Sequence, residues 1–103
     1  MTRRLLGMEL EVAQIDVTPG QEDEFADAYR AARGLVATTP GCRSVRMTRG
    51  VESPSRFVLL VEWDSIEAHN EGFRLSERFS AWRELIGPHF AAAPVVEHFT
   101  DVD

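Results

Sequence analysis

Three histidines, His69, His89 and His98, are the side chains here best suited to moving a proton near neutral pH. His69 stands in VEWDSIEAHNEGFRLSERFSAWRELIGPHF (residues 61–90), which also holds both tryptophans, Phe73, Phe79 and Phe90. It follows Ile66 by three positions and precedes Phe73 by four, so a helix would turn it inward with them. There it could accept a proton from an acidic phenol or an activated C–H. A buried, hydrogen-bonded structural histidine has the same spacing. His98 shares a strand face with Val96 and Thr100, away from Glu97 and Glu62, and a strand or subunit contact explains it equally well. His89 follows Gly87-Pro88 and is expected in solvent or at a rim. Arg83 could stabilise an enolate or phenolate, or pair with Glu84 at the surface. Trp63, Phe73, Phe79 and Trp82 have core spacing. A pocket wall fits them too, because an indole N–H needs a partner. Tyr29 could face the same space.

Other chemistries find no support. No H-x-x-x-H or H-x-x-E-H pair occurs, and the single Cys42 has no neighbouring cysteine, so no dedicated metal centre is expected. There is no G-x-S-x-G elbow, and no glycine-rich phosphate loop follows a strand.

The elements that position these residues can be read from periodicity. Glu9 to Val17 (ELEVAQIDV) is a strand. Gln21 to about Ala37 is a helix with Phe25, Ala28, Tyr29, Ala32, Leu35 and Val36 on one stripe and Glu22, Asp23 and Glu24 in its first turn. Thr39-Pro40-Gly41 ends it. Cys42 to Val51 is the second strand, with Val45, Met47, Arg49 and Val51 on one face. Arg56 to Trp63 (RFVLLVEW) is the third, apolar on both faces and therefore central. Asp64 or Ser65 starts a short helix to about Glu71, breaking near Gly72. Ser76 starts another through about Ile86. Val95 to Thr100 is the fourth strand. The order β-α-β-β-α-β predicts an α+β, ferredoxin-like fold, a four-stranded antiparallel sheet with helices on one face.

The 103 residues suit one domain, 1–103, with its core at about 8–100. Net charge −6 and a pI near 5.0 argue against nucleic acid. Arg3 and Arg4 are too few for a basic tail. Glu9 and Glu11 interrupt Leu5 and Leu6 before a signal-peptide core forms. No run approaches the ~20 apolar residues of a membrane span. The expected location is the cytoplasm. Helices cover one sheet face only, yet the third strand is apolar on both, so the open face calls for a second copy. A homodimer through the sheet face is expected.

W-x-S-x-E-A-H at Trp63–His69, F-R-x-S-x-x-F-x-x-W-R at Phe73–Arg83 and E-H-F at Glu97–Phe99 resemble the antibiotic biosynthesis monooxygenase family, over about Met8 to Thr100. The resemblance implies a dimeric α/β barrel with one pocket per subunit between helices and sheet. It implies monooxygenation of a quinol- or anthrone-like aromatic without metal, flavin or haem, dioxygen being the co-substrate. Haem-degrading relatives place an axial histidine where Trp82 or Arg83 stands here, which counts against haem. On this reading His69 transfers the proton. Arg83 and Asn70 contact anionic oxygen, Asn70 being otherwise a surface amide. Tyr29, Trp63, Phe73, Phe79 and Trp82 wall the pocket around a small aromatic ligand. An oxygen-independent polyketide cyclase or isomerase, or a non-catalytic binding dimer, fits the same scaffold.

Overall fold

The computed structural model describes residues 8–102; the reading of Arg3 to Leu6 lies outside them. Strand β1 (Glu9–Asp16) leads to helix α1 (Glu22–Ala37), then to β2 (Cys42–Arg49) and β3 (Arg56–Trp63). A π-helix (Ala68–Phe73), helix α2 (Glu77–Ile86), a 3₁₀ turn (Gly87–His89) and β4 (Val95–Phe99) follow. The sheet order is β2-β3-β1-β4 and all neighbours run antiparallel, the ferredoxin-like arrangement expected. Strand β3 is internal, as its two apolar faces require.

Pairing fixes which residues share a face. Glu11, Ala13 and Ile15 of β1 lie opposite Val61, Leu59 and Phe57 of β3, and this set is buried under the helices. Phe25, Ala32 and Val36 of α1 and Trp82 and Ile86 of α2 close the core from above. Leu10, Val12, Val58 and Leu60 alternate onto the other face, where they are partly exposed. There Phe99 (46% exposed) and Val95 (59% exposed) extend the open apolar face across β4.

Three local expectations need correction. Strand β2 stops at Arg49, because Gly50 N–H donates to the Arg56 carbonyl across a tight turn. Val51 therefore sits exposed in that turn instead of on the strand face. The segment after β3 does not end at Glu71. It continues to Phe73 as a π-helix, with Arg74 N–H reaching the His69 carbonyl five residues back (2.9 Å). Just before it, the Ser65 hydroxyl accepts the Ala68 N–H at 3.1 Å. Ser76 precedes α2 as expected, but its hydroxyl donates backwards to the Phe73 carbonyl (2.6 Å) and makes no side-chain cap.

Candidate active site

The alternation of β1 puts Glu11 on the row occupied below it by Ala13, Ile15 and Val17. A carboxyl is thus carried into the core beside the end of β3. Its Oε1 accepts the Trp63 indole N–H at 2.9 Å. The π-helix sets His69 above the same atom, with Nε2 at 3.3 Å from Oε1. Strand β4 pairs with β1 so that His98 lies opposite Glu11, and its Nε2 is 2.8 Å from His69 Nδ1. Four polar side chains from four elements thus form one chain, Trp63–Glu11–His69–His98. Glu11 is 5% and His69 3% exposed.

Burial is costly for either charged form. It raises the Glu11 carboxyl from 4.5 to about 7, against the opposing pull of the Trp63 hydrogen bond and the Arg74 charge. It lowers the His69 imidazole from 6.5 to about 4, helped by His98 and Arg74. The 3.3 Å contact is therefore no ordinary ion pair at neutral pH. Burial favours the uncharged form of both groups there. Trp63 stacks on the imidazole, with centroids 5.1 Å apart and planes at 16°. Phe73 packs nearly parallel to it at 6.3 Å.

Beside this chain lies a cavity of about 280 Å³ between α2 and the sheet. That is near the lower end of small-molecule sites, roughly 300–1,000 Å³. Glu11 and His69 supply its polar floor; Phe73, Phe79, Trp82, Ile86 and Phe90 supply apolar walls, and Arg74 and Arg83 add guanidinium groups. The Arg83 guanidinium lies over the Phe79 and Phe90 rings, at 5.8 and 5.4 Å from their centroids. Of the side chains singled out in the sequence, His69, Arg83, Phe73, Phe79 and Trp82 meet in this cavity.

Three others stand elsewhere. Trp63 is fully buried behind His69, and its N–H is taken by Glu11 instead of reaching into the cavity. Tyr29 meets the edge of Trp82 (6.3 Å, 82°) and lies outside the cavity lining. Asn70, one position beyond His69, lines a separate, shallow recess with Glu71, Arg74, Leu75 and Phe79. Its Oδ1 is buried without a hydrogen-bond partner. Glu11 and Arg74 were not singled out. For Glu11 the signal was present: its position is in phase with Ala13, Ile15 and Val17 on an inward row. Among the described residues no group of three or more His, Cys, Asp or Glu side chains is arranged to hold a metal ion.

The sequence profile of the antibiotic biosynthesis monooxygenases matches residues 8–85. This chain belongs to that family. The antibiotic biosynthesis monooxygenase match covers Glu11, His69 and the cavity wall through Arg83, and ends before β4 and His98. Bacillus subtilis (strain 168) YczJ is 36% identical over 92% of this chain and the whole of its own length. A crystal structure of an antibiotic-biosynthesis-monooxygenase-type protein from Bordetella bronchiseptica is 40% identical, with a TM-score of 0.90 over 93% of this chain and 98% of that one. SnoaB from Streptomyces nogalater, a cofactor-independent oxygenase, has a TM-score of 0.79 over 93% of this chain and 94% of its own, at 16% identity. That last likeness is one of fold.

Proposed function

We propose that this member of the family is a cofactor-independent monooxygenase acting on a quinol- or anthrone-like aromatic, polyketide-derived or similar. The observation that carries the reading is the juxtaposition in one cavity of aromatic walls with a buried acid–base pair, Glu11 and His69. Apolar walls hold a flat ring and exclude water. The pair removes an acidic proton, and Arg83 or Arg74 offsets charge developing on the ring oxygen. For an anthrone, loss of the ring-methylene proton leaves a carbanion that transfers an electron to dioxygen. Recombination gives a peroxide, and loss of water gives the quinone, so one anthrone and one dioxygen yield one anthraquinone and one water. Dioxygen is the only co-reactant required.

The reading includes a homodimer through the open sheet face and action in the cytoplasm. No helix among the described residues is long and apolar enough to cross a membrane. The decisive measurement is oxygen uptake by purified protein with anthrones and hydroquinones in aerated buffer without additives. Uptake matched by quinone formation is expected; no uptake with any of them overturns the reading. Proton removal also serves an oxygen-independent cyclase or isomerase, and the same mixtures under nitrogen separate the two. The oxygenase stops and the cyclase continues, while tight binding without turnover in either atmosphere marks a binding dimer.

A further inference from the structure

We infer that Glu11, not His69, is the group that takes the substrate proton, and that His98 is a positioning residue acting on Glu11 through His69. The inference rests on the reading that the cavity is a deprotonating site.

Hydrogen-bond bookkeeping leads to it. A neutral imidazole has one donor and one acceptor nitrogen. Each nitrogen of His69 has a polar neighbour: Nδ1 is 2.8 Å from His98 Nε2, a hydrogen bond, and Nε2 is 3.3 Å from Glu11 Oε1, a close polar contact. When His98 donates, His69 Nδ1 must accept, which fixes the proton of His69 on Nε2, the nitrogen beside Glu11. His69 then has no lone pair to offer a guest. Glu11 accepts the Trp63 N–H on Oε1, which lies beside His69 Nε2. Its remaining acceptor capacity lies on Oε2, and Glu11 borders the cavity. The chain of contacts therefore holds a carboxylate in place from behind and leaves its second oxygen for the guest. In the step itself a substrate C–H bond breaks and an O–H bond forms on Glu11. The electron pair stays on the substrate as an enolate.

Titration agrees with the geometry. A base works best with a pKa near the working pH. Glu11 at about 7 meets that condition, and His69 at about 4 does not. The charged and titratable groups around Glu11 are His69 and Arg74 from the π-helix and its end, His98 from β4, Arg83 from α2 and Cys42 at the start of β2. Burial raises the Cys42 thiol.

The experiment uses anthrone deuterated at its ring methylene, in protonated buffer. Deuterium loss is followed by NMR under nitrogen, and oxygen uptake in air. Glu11→Gln keeps an acceptor for the Trp63 N–H; its loss of exchange should be at least about 100-fold. His98→Phe should slow exchange roughly tenfold, as loss of a partner that holds a functional histidine does. It should also move the midpoint of the pH–rate profile. His98→Gln, whose amide N–H can replace the donor, should restore both. Exchange retained in Glu11→Gln overturns the base assignment. An unmoved profile in His98→Phe overturns the positioning role. Exchange without oxygen uptake sinks the oxygenase reading and leaves Glu11 standing. A substrate-free measurement covers the case in which anthrone is not accepted: a ¹³C titration of the glutamate carboxyls. One should titrate near pH 7, vanish in Glu11→Gln and shift in His98→Phe. If every glutamate titrates below about pH 5, the assignment falls.

Discussion

At the scale of single residues, Glu11 and His69 pull stability in opposite directions as pH changes. Between 4.5 and about 7 the unfolded chain releases the Glu11 proton while the native state keeps it. Raising the pH through that window therefore destabilises the fold, by up to about 3 kcal/mol. His69 acts in reverse. As pH falls from 6.5 to about 4 the unfolded chain takes up a proton that the native state refuses. Lowering the pH destabilises it. Over the shared range the two slopes nearly cancel. Glu11→Gln should unmask the histidine slope, so urea unfolding at pH 4.5 and pH 8 should show the variant about 3 kcal/mol worse, relative to wild type, at the acid end. Equal differences at both pH values would show that Glu11 titrates normally. The two residues also differ in how far they could be found from the sequence. His69 was visible by type and by spacing from Ile66 and Phe73. Glu11 carried the right phase, but an acid in a strand reads as a surface residue unless its row is compared with Ala13, Ile15 and Val17. The His69–His98 contact was not legible, since it joins residues 29 apart through the β1–β4 register.

At the scale of elements, the strands and α1 followed from periodicity, because alternation and the 3.6 repeat are imposed by which face is buried. The π-helix did not follow. Over six residues an i+5 pattern and an i+4 pattern keep Ile66, His69 and Phe73 on nearly the same side, so hydrophobic spacing cannot separate them. Its seat is set by Gly41. That glycine has φ +91°, and a Cβ there would come within 2.6 Å of the Ala68 Cβ. The Gly41 carbonyl also accepts the Asp64 N–H at 2.7 Å. Gly41→Ala should therefore cost more than about 1 kcal/mol from backbone conformation alone. It should also push Ala68 and the adjoining His69 off the cavity floor. Denaturant unfolding should show the loss, and the His69 ring resonances should shift. A variant with wild-type stability and an unshifted histidine would show that the π-helix does not rest on this turn.

At the scale of the whole molecule, the proposed dimer turns on the open sheet face. Leu10, Val12, Val58 and Leu60 occupy its centre, with Val95 and Phe99 at the β4 side. Helices cover only the other side, so a two-fold partner is the expected cover, with a standard interface of roughly 1,200–2,000 Å². Leu60→Asp places two like charges near the middle of such an interface and adds nothing to the helix-side core. Sedimentation at micromolar concentration should give a dimer for wild type and a monomer for Leu60→Asp. A wild-type monomer would remove the dimer from the reading. An unchanged dimer in the variant would move the interface to another surface.

The two indoles occupy settings so different that they divide an optical signal between them. Trp82 lines the cavity. Trp63 lies outside the cavity, sealed behind an imidazole and tethered to a carboxyl whose pKa burial raises to about 7. Fluorescence of single-tryptophan variants would thus separate occupancy from proton inventory, one lamp for each, without any added label.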